Sequence, residues 1–284
     1  MRSAPVAAAA STPVPPPSAA LDPGPPGFRT PLPARERSDP APAKRYAALS
    51  SAACRSELEA RQLPVAAARD RAGGIDVPLV LEGPLSGVRF ELPKTVYGFL
   101  DCRLVLVLDD LARELARFRV AAVVVNNTYR PGAVRPAPPP APKVAPTTKT
   151  TPKTQAPPKT KTKPKPASKS ARPTPAKKAA PKAESMRPSQ HALGLAVDIT
   201  EFRLLDGTTL NVERDWHGAL GAPPCGPLAE VLEPHASSVL LRDLTCALAR
   251  AALCNHLITP NRDQAHFNHL HCDIDAGAAE VSVE

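Results

Sequence analysis

Three of the seven histidines fall within six residues, in His266-Phe267-Asn268-His269-Leu270-His271-Cys272-Asp273-Ile274-Asp275. A two-residue period over Phe267–Asp275 puts His269, His271, Asp273 and Asp275 on one face of a strand and Leu270, Cys272 and Ile274 on the other. The plain reading of such a row is a polar face in solvent; the chemical one is a set of ligands or proton carriers. A second element, Ser189-Gln190-His191-Ala192-Leu193-Gly194-Leu195-Ala196-Val197-Asp198, sets His191 in a turn and Asp198 in the strand that follows. Val197 and Ile199 flank Asp198, so its carboxylate projects from a largely buried sheet and needs a partner, which a metal ion can be. Gly194 and Ala196 keep the surroundings small. Each element alone says little. Together they read as a three-ligand zinc site, with nitrogens from His191 and His271, an oxygen from Asp198, and water in the fourth position. Zinc would bring that water's pKa towards 7 and polarise a carbonyl. His269, two residues from His271 on the same face, is placed to move a proton or steady an oxyanion.

These residues need a scaffold, and the periodicities supply one. Leu195–Leu205 reads as a strand, Asp206-Gly207 as a tight turn and Thr208–Val212 as the returning strand. Asp101 is a helix cap, with Leu104, Leu108, Leu111, Leu115 and Phe118 as the apolar stripe of a helix reaching about Phe118. Val105 and Val107 break the stripe and leave its first turn open to an extended reading. Ala121–Val125 is a buried strand ending in Asn126-Asn127-Thr128-Tyr129-Arg130, and polar residues at the end of an apolar strand are a place for a site. Ala47, Cys54, Leu58 and Leu63 mark a short amphipathic helix that Pro64 stops, and residues 75–92 read as short strands and turns. Residues 214–227 are loop-like. A helix capped at Ser237 or Ser238 should run to about His256. His217, His235 and His256 show no convergent partners and read as ordinary loop or helix-surface residues, as does Asp206 in its turn.

Composition divides the chain. Of 37 prolines, twelve lie in residues 1–45 and fifteen in 131–185, and segments so rich in proline do not build helices or inner strands. Residues 131–185 also hold eleven lysines, two arginines and one glutamate, so the formal +9 of the whole chain belongs to this tract and the remainder is slightly acidic. The tract reads as a disordered tether, with weak polyanion contact as an accessory role. It has no aromatic residues for stacking bases, which argues against nucleic-acid recognition. The six cysteines all lie outside the two proline-rich stretches. An even number permits three disulfides in any of fifteen pairings, and no Cys-x-x-Cys pair supports a redox or cysteine-zinc centre. Disulfides would need an oxidising compartment. No apolar run is long enough for a membrane span, and prolines crowd the N-terminus out of a convincing signal peptide.

Ser189-x-His191-x-x-Gly194-x-Ala196-x-Asp198 followed by His269-x-His271 resembles the D-Ala-D-Ala metallopeptidase group, which includes the lysostaphin-type endopeptidases and the hedgehog fold. Closest in pattern is the bacterial extensin-like C-terminal domain family, with its strand and turn at Phe202–Gly207, a tryptophan near Trp216 and the string His266, His269, His271, Asp273. The resemblance covers about residues 50–130 and 186–276. It implies an α+β fold, a small antiparallel sheet with flanking helices, hedgehog or D-Ala-D-Ala-peptidase-like, to which the composition adds long disordered segments. It further implies a zinc metallopeptidase of carboxypeptidase or endopeptidase type, a hydrolase that cleaves peptide bonds of peptidoglycan through a metal-activated water.

Carried over by motif, one zinc ion is held by His191, Asp198 and His271, and His269 is catalytic. Tyr129-Arg130 resembles the family's Tyr-Arg pair near the cleft, Arg130 for a substrate carboxylate and Tyr129 as a wall or donor. His266, Asp273 and Ser189 are supporting residues that orient the ligands. Asp263 before His266 leaves a rival register in which His266 is the ligand. Relatives have a short connection where residues 131–185 stand here, and closing so long a loop costs little if its ends are close. The expected organisation is therefore a disordered leader over 1–45, one discontinuous domain over 46–130 and 186–276, the insertion 131–185 and a tail at 277–284. A monomer in the periplasm or cell envelope, acting on peptidoglycan peptides, completes the expectation. The competing reading is a non-catalytic cell-wall or polyanion-binding module that retains the fold.

Overall fold

The computed structural model describes residues 27–29, 41–70, 72–136, 186–278 and 280–284. The leader and insertion expectations fall mostly on residues outside these. By contacts the chain divides into two units, residues 1–133 with 190–284, and residues 134–189. In the first unit, α1 (Pro42–Ala47) and α2 (Ser51–Ala60) precede β1 (Val65–Ala67), β2 (Pro78–Leu81), β3 (Arg89–Glu91) and β4 (Leu100–Asp101). Then come α3 (Cys102–Ala116) and β5 (Val120–Asn127). In the second unit β6 (Val134–Pro136) pairs antiparallel with β7 (Met186–Pro188). The first unit resumes with β8 (Ala196–Leu204), β9 (Thr209–Asn211), α4 (Val212–Asp215), α5 (Ala236–Ala251), β10 (His256–Ile258), β11 (Leu270–Asp273) and β12 (Ser282–Val283).

The architecture is α+β. The larger sheet runs β12-β10-β11-β8-β5-β3, with β9 alongside β8, and a smaller antiparallel sheet is β1-β2-β4. The expected antiparallel order holds for β10-β11-β8-β5, but the two outermost pairings, β3 with β5 and β10 with β12, are parallel. The last of these comes from the expected tail: Ser282 and Val283 lie beside His256 and Leu257 and satisfy an open sheet edge.

Helix α3 shows why pattern reading stops short of packing. Asp101 caps it, accepting from the Arg103 N–H at 3.0 Å. The Val105 and Val107 that disturb the stripe are helical and fully buried, as are Leu104, Leu106, Leu108, Leu111, Ala112 and Leu115. The helix packs against α1 and α2 as well as α5 and β5, so the run Leu104–Leu108 is buried on all sides and its first turn is not extended. The disulfide Cys54–Cys102 staples α2 to its first residue.

Other boundaries differ locally from expectation. The single helix read before Pro64 is two, because Ser50 accepts from the Ala53 N–H and opens α2 afresh. Order begins inside the stretch read as a leader: Pro42 occupies the first turn of α1, where its missing N–H has no cost, and Phe28 is buried beside Ala229 and Cys246. Helix α5 is capped at His235 and stops at Ala251 with Ala252 left-handed, so His256 is in a strand, not on a helix surface. Strand β11 is only four residues long, and Asp275 has left it for a turn, its N–H bonded to Asn255.

Candidate metal centre

Three neighbouring strands build the site by register. His271 of β11 lies opposite Asp198 of β8, and Asp198 lies opposite Asn127 of β5. Residues in register across a sheet share a face, so a polar row crosses a core that is otherwise apolar. His191 arrives from a short 3-10 turn, Gln190–Leu193, whose carbonyls accept from Arg130, Gly194 and Leu195 N–H groups. Gly194 then turns the chain into β8 at φ +64; a Cβ there would stand 2.8 Å from Ile75 Cδ1 and 2.9 Å from the Asp101 nitrogen. The glycine is required on both counts.

Three ligand atoms converge. His191 Nε2 is 3.1 Å from Asp198 Oδ1 and 3.2 Å from His271 Nδ1, and His271 Nδ1 is 2.9 Å from Asp198 Oδ1. All three residues are buried. Ligands about 2.0–2.1 Å from a tetrahedral ion stand about 3.3 Å apart, so this triangle is close to the size a small cation needs.

The outer atoms of the same side chains are each engaged. His191 Nδ1 faces the Thr128 carbonyl at 3.3 Å, and His271 Nε2 faces Asp273 Oδ2 at 3.3 Å. Both partners only accept, so in the neutral rings these nitrogens carry the protons and the inner nitrogens present their lone pairs. Asp198 Oδ2 accepts from Asn127 Nδ2 at 2.9 Å and an Arg130 nitrogen at 3.1 Å, leaving Oδ1 to the centre. Three electron pairs thus face one point in a buried place, an arrangement that calls for a cation.

The titration behaviour agrees. Burial lowers the pKa of His191 and keeps it neutral, in spite of Asp198. Burial also opposes charge on His271, but bonds to Asp198 and Asp273 outweigh it and raise its pKa to about 9. In the metal-free protein a proton on His271 therefore stands where a metal would. Burial works against ionisation of Asp198 and Asp273 too, yet their histidine partners hold both well below the usual carboxylate range.

Of the residues singled out from sequence, His191, Asp198 and His271 meet, and His269 and Arg130 join them. His269 Nε2 is 3.6 Å from Asp198 Oδ1, while its Nδ1 is engaged with Asn268 Oδ1 at 2.9 Å; burial lowers its pKa, so the inward nitrogen is a neutral base. His266 stands beside them, its ring 5.2 Å from that of His269 and 6.0 Å from that of His271, and its Nδ1 is held by Asp263 at 2.7 Å. The structure brings His271 rather than His266 into the ligand triangle. Tyr129 is turned away: it is buried with Ala72, Ile75 and Phe99, and its hydroxyl donates to the Gly73 carbonyl at 2.8 Å. Ser189 belongs to the second unit.

Two contributors escaped the sequence reading. Asn127 was visible only as a member of the polar stretch after β5. His256 donates to Asp273 at 2.7 Å, so it does have a partner. The sequence held no glycine or proline to mark the end of α5 before it. His217, Glu233 and His235 also come together, His217 and His235 with rings 5.6 Å apart. They lie at the surface at the start of α5, where the positive end of the helix dipole opposes a cation.

Residues 177–282 match the family model described as Extensin-like protein C-terminus. This supports the resemblance over that stretch, which includes His191, Asp198, His256, His266, His269, His271 and Asp273; Asn127, Tyr129 and Arg130 lie outside it. No curated protein and no solved structure matches the chain. The six cysteines form the disulfides Cys54–Cys102, Cys225–Cys246 and Cys254–Cys272, which points to an oxidising, extracellular setting. Among the described residues no helix is long and apolar enough to cross a membrane.

Proposed function

We propose that the protein is a zinc-dependent hydrolase of peptide bonds in peptidoglycan, active in the periplasm or cell envelope. The observation that carries this reading is the buried triangle of His191 Nε2, His271 Nδ1 and Asp198 Oδ1 with its outer atoms all engaged. Two imidazoles and one carboxylate are the donor set of a catalytic zinc site, which keeps a position open; structural zinc is normally closed by four protein ligands. Zinc held there would supply a Lewis acid and an acidified water.

The chain's own groups provide the rest. His269, neutral and with its inward nitrogen beside the triangle, accepts a proton from the attacking water and returns it to the leaving amine. Arg130 is half-exposed beside Asp198 and has guanidinium nitrogens left over for a substrate carboxylate, of which peptidoglycan peptides carry several. Asn127 and Arg130 hold the Asp198 carboxylate in one orientation. The substrate class rests on the family resemblance and on Arg130, and the reaction class on the triangle.

The test is zinc content by elemental mass spectrometry of the full chain, beside His271→Ala and Asp198→Ala, followed by digestion of purified peptidoglycan. The expected result is about one zinc per chain, lost in both folded variants, with peptide release that a chelator stops. No zinc in folded wild type after reconstitution would overturn the reading. Zinc without turnover would leave a wall-binding module that retains the metal.

A further inference from the structure

We infer that His256 is a positioning residue of this centre, acting through Asp273 to set which ring nitrogen His271 presents; the inference rests on the metal reading above. The three side chains form a line. His256 Nδ1 is 2.7 Å from Asp273 Oδ1, and Asp273 Oδ2 is 3.3 Å from His271 Nε2. The register produces it: His271 and Asp273 are two apart in β11 and share a face, and His256 in β10 lies directly opposite Asp273. The disulfide Cys254–Cys272 ties the segment just before β10 to β11, with Cys272 lying between His271 and Asp273. The Asn255 N–H bond to the Asp273 carbonyl, at 2.7 Å, closes the pairing beside it.

The physical reason lies in the carboxylate. Asp273 is buried, and a carboxylate held by one partner turns readily about its Cβ–Cγ bond. His256 takes Oδ1 with the shorter bond, which fixes the plane and leaves Oδ2 aimed at His271 Nε2. That oxygen only accepts, so neutral His271 keeps its proton on Nε2 and turns the Nδ1 lone pair to Asp198 and His191. Without the His256 bond the plane is unheld. His271 can then adopt the other tautomer, with its proton pointing into the ligand triangle. His256 touches neither the triangle nor any atom that would react. It is itself partly exposed on β10, beside the edge strand β12.

The experiment measures zinc affinity of the full chain by competition with a chromophoric chelator, and the tautomer of neutral His271 by long-range proton–nitrogen NMR on zinc-free, histidine-labelled protein at a pH alkaline enough to deprotonate the imidazolium. His256→Phe keeps bulk without a donor; His256→Asn returns an amide donor close to where Nδ1 stood. The expected result is a loss of about tenfold in zinc affinity for His256→Phe, as for other residues that orient ligands. In that variant His271 should show mixed tautomers, and His256→Asn should restore both readings. Wild-type His271 whose neutral ring carries its proton on Nδ1 would overturn the inference without any variant. So would a folded His256→Phe with unchanged affinity and an intact Nε2–H. Failure of wild type to bind zinc at all would instead strike the metal reading, while the tautomer measurement still decides the role of His256.

Discussion

Gly194 carries both the fold and the site, and its replacement by alanine has a magnitude that can be worked out. Two effects add. At φ +64 a side chain is strained whatever the space, by roughly 1 kcal/mol. A Cβ would also meet Ile75 Cδ1 at 2.8 Å and the Asp101 nitrogen at 2.9 Å. The first neighbour can swing aside. The second is backbone, donates to the Gly194 carbonyl at 2.9 Å and belongs to the cap of α3, so relief there disturbs two elements. Overpacking of this kind costs roughly 1–3 kcal/mol, for a total of roughly 2–4 kcal/mol. For a domain of this size that lowers Tm by roughly 5–15 °C. Gly207 supplies the control: its φ is +88, yet nothing lies within 4 Å of a Cβ, so Gly207→Ala should lose only the conformational part. Thermal unfolding followed by circular dichroism, with chelator present so that metal does not contribute, measures both. Equal losses in the two variants would refute the crowding argument and the tight seating of the His191 turn against α3.

Zinc binding should release close to one proton per ion at pH 7.5, read by calorimetry in buffers of different ionisation enthalpy, because His271 is protonated in the metal-free protein up to about pH 9. The sign for stability is the opposite: its raised pKa contributes fully below about 6.5 and is lost as pH rises through 9, so the metal-free Tm should fall across that window. Replacing Cys254 and Cys272 with serine should lower stability by about 3 kcal/mol and weaken zinc binding, since β10 and β11 carry His256, His271 and Asp273. Unchanged zinc affinity in the folded double variant would show that the sheet alone holds the register. Arg130→Gln should leave zinc content intact and raise KM by about tenfold or more for substrates with a free carboxylate. An equal change for amidated substrates would remove Arg130 from substrate recognition.

The three residues of the buried triangle were legible because their chemistry is local. A histidine seven residues before Asp198, and a His-x-His in an alternating strand, carry their meaning in residue type and period. The caps at Asp101 and the turn at Asp206-Gly207 were legible for the same reason, since each is closed by bonds within a few residues. What lies between was not. Val105 and Val107 look like strand residues and are helical, because the run Leu104–Leu108 of α3 is buried on all sides and a stripe is no longer needed. Tyr129 looks like part of the cleft and is spent on the Gly73 carbonyl.

From sequence alone, then, come the donor types, their faces, and the small residues that make room for them. Only the tertiary structure decided that Asn127, Asp198 and His271 align across three strands, that His271 rather than His266 completes the triangle, and that His256 stands opposite Asp273. Those outcomes depend on strand register, and register follows from the burial of whole sheet faces and the ties between distant segments, which no local spacing records.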